Sequence, residues 1–97
     1  MAKSEHLAKL KDGVAARNQW RAENPDARVD LADENLSGFD LSESDFKRVD
    51  LHGSDSRGAN VSRAALNEAN LTMTKFGGAD LHRATLGAAT MIVTNFD

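Results

Sequence analysis

The 97-residue sequence has no cysteine, which excludes disulfide staples and thiolate metal sites. It has no apolar run near the roughly 20 residues that a membrane-spanning helix needs. Its first seven residues include Lys3, Glu5 and His6, so the apolar stretch of a secretory signal is missing. These absences point to the cytoplasm and to no membrane partner. A continuous basic stripe is missing too. The net charge is −3, spread as +2 over residues 1–28, −6 over 29–55 and +1 over 56–97. Direct nucleic-acid binding is therefore not expected, and the acidic first part of 29–97 reads as solvated surface. Nucleophile motifs, phosphate-binding glycine loops and HExxH are also absent. A chain this short buries only part of its surface, so its core must be efficient or shared with a partner.

What the sequence does contain is a period of five. Every fifth residue from Leu31 gives Leu31, Leu36, Leu41, Phe46, Leu51, Ser56, Val61, Leu66, Leu71, Phe76, Leu81, Leu86, Met91 and Phe96. All but Ser56 are large and apolar. Two places earlier the residue is usually small, as at Ser44, Ser54, Ala59, Ala64, Ala69 and Thr74. One place earlier it is usually Asp or Asn, as at Asp30, Asn35, Asp40, Asp45, Asp50 and Asp55. Helices repeat near 3.6 residues and strands near 2. A period of five needs a chain that turns a corner once per repeat. One large and one small inward residue per repeat let four repeats close a square coil, with the next coil about 4.8 Å above it. A second large inward residue would overfill so narrow a tube. Asp and Asn suit the corners because their side chains bond nearby backbone.

Ala69-Asn70-Leu71-Thr72-Met73 and Ala79-Asp80-Leu81-His82-Arg83 resemble the A(D/N)LXX motif of the pentapeptide-repeat proteins. The resemblance covers about seventy residues in fourteen uninterrupted repeats. It implies a right-handed quadrilateral β-helix, a β solenoid, here of about 3.5 coils with an N-terminal α-helical cap. The expected boundaries are 1–28 for the cap and 29–97 for the β-helix, within one domain. Residues twenty apart should stack in columns. Three kinds of departure stand out: Glu34 at a small inward position, Ser56 at a large one, and bulky Val29, Phe39 and Val49 at small ones. Ser56 falls between Leu36 and Phe76, so a neighbouring ring or a water should occupy the space. Glu34 reads as a solvated or cap-contacting carboxylate.

Residues 4–24 read as helix. Ser4 suits the N-cap and Glu5 the first turn. Leu7, Leu10 and Val14 form one apolar stripe, Gly13 bends or divides the helix, and Asn24-Pro25 stops it. With Trp20 the stripe is sized to cover the first coil, whose core and strand edges would otherwise be open. Trp20-Arg21-Ala22-Glu23-Asn24-Pro25 is similar to the W-R-x-x-N-P stretch common at the start of the family's members.

The pattern runs to the last residues, and Ile92 and Val93 are apolar at outward positions. Met91, Ile92, Val93 and Phe96 are the expected interface of a two-fold homodimer through the C-terminal coils. His52 and His82 are one and a half coils apart and His6 is in the cap, so they share no metal within one chain. The Asp/Asn ladder is spread around the tube, whereas calcium needs converging oxygens. A filled tube also lacks the concave pocket of small-molecule sites. The expectation is a non-enzymatic protein-interaction or scaffold module without catalytic, cofactor or metal residues, whose protein partner the sequence does not name. Two alternatives are a DNA mimic that binds DNA gyrase, as some members of the family do, and the N-terminal half of a split, longer β-helix.

Overall fold

The chain turns after every Asp/Asn–large pair, and those turns generate the architecture of the computed structural model. It describes His6, Ala8, Leu10 and residues 12–92 and 94–96. The large residue opens each turn, and in most turns its carbonyl accepts the N–H three residues on, as in Phe39 N to Leu36 O at 3.1 Å and Ala79 N to Phe76 O at 2.8 Å. The third residue of every turn from Asp33 to Ala88 takes a positive φ between 57° and 73°, as a type II turn requires. Only a few of these are glycine. At Gly53 a Cβ would meet the Asp33 carboxylate one coil below, so a larger residue there would require that side chain to turn aside.

The Asp/Asn side chain locks the entry to the turn. Its Oδ1 accepts the N–H two residues on at Asp30, Asn35, Asp40, Asp45, Asp50, Asp55, Asn60, Asn70 and Asp80, at 2.9–3.3 Å. Ala65, Lys75, Thr85 and Thr90 occupy the same place without that acceptor and hold the same course, so stacking alone suffices there.

Parallel bridges join residues twenty apart, from Asp30↔Asp50 to Lys75↔Asn95. One coil therefore takes four sides of five residues. Each side is a single bridge rather than an extended strand, because a two-residue turn consumes most of a five-residue side. The bonds have a constant direction. The N–H and C=O of each Asp/Asn position face the preceding coil, as in Asp50 N to Val29 O (2.9 Å) and Leu31 N to Asp50 O (2.8 Å).

Inside, Leu31, Leu36, Leu41, Phe46, Leu51, Val61, Leu66, Leu71 and Phe76 are buried, as are the small-position Ala59, Ala64 and Ala69 and the bulkier Val29 and Val49. Phe39 is partly buried against them. The last coil, where Met91 and Phe96 are expected both as inward residues and as interface, is less covered than the coils before it. Leu81 and Leu86 are only partly buried, while Met91 and Phe96 are 44% and 47% exposed. No described residue lies above them. Ser56 is wholly buried, and neither its Oγ nor that of Ser54 has a hydrogen-bond partner among the described residues. Phe76, next in the column, stacks on Phe96 with ring centroids 5.4 Å apart.

The N-terminal segment also departs from a single helix over 4–24. His6, Ala8 and Leu10 are helical, Gly13 breaks the run with φ 98°, and helix α1 spans Val14–Glu23. Asn24 follows as its C-cap. Leu7, with Ser4 and Glu5, lies outside the described residues.

Candidate interaction surfaces

The two ends of the tube are the places where its chemistry is not consumed by the repeat. At the N-terminal end the first coil has no coil below it, so its downward-facing backbone groups need other partners. The cap supplies four of them. His6 Nδ1 accepts the Asp30 N–H at 2.8 Å. Asn18 Oδ1 accepts the Asp45 N–H at 2.9 Å. Arg17 Nη2 donates to Asp40 O at 2.8 Å and Arg21 Nη2 to Lys47 O at 3.0 Å. Asn18 Nδ2 adds a bond to Glu43 O.

The residues that α1 buries are therefore Arg17 and Arg21, and the apolar stripe does only part of the covering. Leu10 is buried, Trp20 packs partly buried against the core, and Val14 is half-buried. The arginines were legible as far as spacing goes. Positions 17 and 21 continue the stripe of 7, 10 and 14 along one helix face, but a charged residue there reads as solvated unless the carbonyls of an open coil are known to face it.

Arg17 is the centre of this closure. Its Nε donates to Ser44 Oγ at 2.7 Å and its Nη1 to Leu10 O at 3.0 Å, so one guanidinium ties the preceding helical segment to the first coil. Burial pushes the Arg17 guanidinium down from its ordinary pKa, with the Asp40 carboxylate opposing that shift. Asp40 is itself held below the usual carboxylate range, first by the Ser42 hydroxyl, then by the Ser42 N–H. A cavity of about 20 Å³ remains between cap and coil, lined by His6, Leu10, Arg17, Trp20, Arg21, Val29, Asp45 and Phe46. Arg21 Nε has no hydrogen-bond partner among the described residues.

At the other end, the N–H groups of Leu81, Arg83, Leu86 and Ala88 meet no following coil among the described residues. Ile92 is 62% exposed at the same level, and Met73, one coil below, is 53% exposed. Met91, Ile92 and Phe96 are thus exposed apolar residues in the last coil, whose following edge is unpaired among the described residues. Val93, the remaining member of the expected interface, lies outside the described residues.

The outer sides carry little convergent chemistry. An open polar groove is lined by Ser42, Glu43, Ser62, Arg63, Asp80 and His82. Ser62 Oγ is bonded to Asn60 Oδ1 and Asp80 Oδ1 to the His82 N–H, each within its own turn. Arg57 clasps Asp55 with two bonds of 2.9 and 2.7 Å, which with the Arg57 N–H holds that half-buried carboxyl down to about 2. No group of three or more His, Cys, Asp or Glu suited to a metal occurs among the described residues. No described helix is long and apolar enough to cross a membrane.

A family profile described as pentapeptide repeats matches in eight copies, over residues 27–55 and 44–83. Among solved structures, the chain is similar to the pentapeptide repeat protein Rfr23 from the cyanobacterium Cyanothece 51142, with a TM-score of 0.66 and 26% identity. The match covers 73% of this chain and 52% of Rfr23, so the chain spans about half the length of that relative. No curated protein matches it significantly. The profile and the solved relative together imply a right-handed quadrilateral β-helix.

Proposed function

The chain belongs to the pentapeptide-repeat family, and we propose that it serves as a non-enzymatic interaction module, a rod of about 3.5 coils at about 4.8 Å per coil. The observation that carries this reading is the contrast between a filled, self-satisfied tube and its open C-terminal rim. Exposed Met91, Ile92 and Phe96 share the last coil with backbone N–H groups that have no partner among the described residues. Exposed apolar surface next to an unpaired edge favours association. The proposed occupant is a second copy, edge to edge about a two-fold axis. Light scattering at tens of micromolar should give twice the monomer mass, and Ile92→Asp should return the monomer. A monomeric wild type overturns the dimer.

The 52% coverage of Rfr23 favours a second reading, in which the β-helix continues through further in-phase repeats carried by another chain. Such repeats encoded immediately downstream would support it, and heteromeric rather than homomeric association would separate it from the dimer. DNA mimicry toward gyrase is less favoured. The repeats carry a net −5, against one charge per about 1.7 Å of duplex. A supercoiling assay with excess protein that shows no effect disposes of that reading.

A further inference from the structure

We propose that His6 is a pH-sensitive latch that holds the N-terminal cap on the first coil at neutral pH and releases it in acid. A backbone N–H can only donate. The 2.8 Å contact from the Asp30 N–H to His6 Nδ1 therefore fixes Nδ1 as an unprotonated acceptor, with the ring proton on Nε2. Protonating Nδ1 turns this acceptor into a donor facing another donor, and the bond is lost.

The ring is also enclosed. His6 is buried, with its ring set edge-on to Trp20 at a centroid distance of 5.3 Å. Arg17 and Arg21 from α1 line the same cavity, and Asp45 is the one carboxylate there among the described residues. Arg17 and Arg21 already hold their positive charge in buried positions. The space left among these groups has room for about one water.

The latch is coupled to the whole closure. The Asp30 N–H is the first of the four downward groups that the cap satisfies, and Arg17, Asn18 and Arg21 satisfy the others from α1. Lifting the His6 segment also removes Leu10, whose carbonyl receives Arg17 Nη1. Acid thus exposes the lower edge of the first coil, and the capped end becomes an open edge like the opposite one. His52 and His82 lie on the repeat, away from the cap cavity, so they serve as controls.

The test follows the intact chain from about pH 7.5 to about pH 5, the range in which histidines ordinarily titrate. Nitrogen-15 NMR should find His6 as the Nε2–H tautomer at neutral pH. On acidification the emission of Trp20, the sole tryptophan, should change. The Asp30 and Asp45 amides should lose about tenfold or more of their protection after correction for intrinsic exchange. His52→Gln and His82→Gln should keep this step. His6→Gln, whose amide oxygen can still accept the Asp30 N–H, should abolish it. An Nδ1–H tautomer, a flat wild-type profile or an unchanged step in His6→Gln would overturn the latch. Should His6→Gln fail to fold, the tautomer and the wild-type titration decide by themselves.

Discussion

Leu31 and Met91 occupy the same inner column, sixty residues apart. Leu31, at the capped end, is fully buried, and Met91 is 44% exposed. The repeat that places them is the same, so the difference lies in what covers each end. Below Leu31, side chains of His6, Arg17, Asn18 and Arg21 replace the hydrogen bonds of a missing coil. Above Met91 no described group does so. A solenoid repeat settles the interior and leaves both ends to be solved separately. Here one end is closed by polar side chains of the cap, and the other has no such cover among the described residues.

Two truncations test this contrast most strongly. Leu31→Ala should cost about 2–5 kcal/mol, the usual range for a buried leucine, and should lower the midpoint of thermal unfolding by roughly 4–8 °C per kcal/mol in a domain of this size. Met91→Ala should cost less than about 1 kcal/mol, because much of the side chain is already in water. Circular dichroism melts of both variants at low concentration check the ratio. A Met91→Ala cost that grows with protein concentration would break the contrast in an informative way, because the rim is then buried by a partner.

The next test concerns the means of closure. Arg17→Met keeps most of the apolar volume and removes the donors to Ser44 Oγ, Leu10 O and Asp40 O. A loss of about 2–3 kcal/mol is expected, as for charged hydrogen bonds with buried partners. Arg17→Lys should recover only part of it, because an ammonium cannot reproduce the planar fork. If Arg17→Met melts like the wild type, the cap is held by Leu10 and Trp20 instead, and the polar account of the closed end fails.

How much of this could be read from the sequence follows the same division. The columns Leu31–Leu51–Leu71–Met91 and Leu36–Ser56–Phe76–Phe96 followed from the period alone, because a repeat fixes inward and outward positions wherever neighbours exist on both sides. The exposure of Met91 and Phe96 did not, since periodicity marks a direction and not a covering partner. The cap shows the converse failure. Its apolar residues were visible as a stripe, yet the bonds that close the first coil come from His6, Arg17, Asn18 and Arg21. Their role depends on where the carbonyls and N–H groups of residues 30–47 point, which only the folded coil reveals. Ser56 was visible as an anomaly, and its buried hydroxyl, like that of Ser54, finds no hydrogen-bond partner among the described residues.

The smallest expected effect separates middle from end through the backbone alone. Gly58 and Ala88 both sit at the third position of a turn, with φ of 71° and 59°. A Cβ on Gly58 would meet nothing within 4 Å, so Gly58→Ala tests left-handed geometry without a clash. The left-handed region costs an L-residue roughly 1–2 kcal/mol, and glycine's extra unfolded-state freedom offsets roughly 0.5–1 of that. Gly58→Ala should therefore destabilise by about 0.5–1 kcal/mol, and Ala88→Gly should stabilise by at most the same amount. Ala88 lies in the last coil, so if that coil opens on its own, its gain should appear as slower amide exchange locally and hardly at all in the global melt. Equal and opposite shifts in the melt would mean that the open end unfolds only with the rest of the tube. The missing cover above Met91 would then weaken side-chain burial without loosening the backbone ladder beneath it.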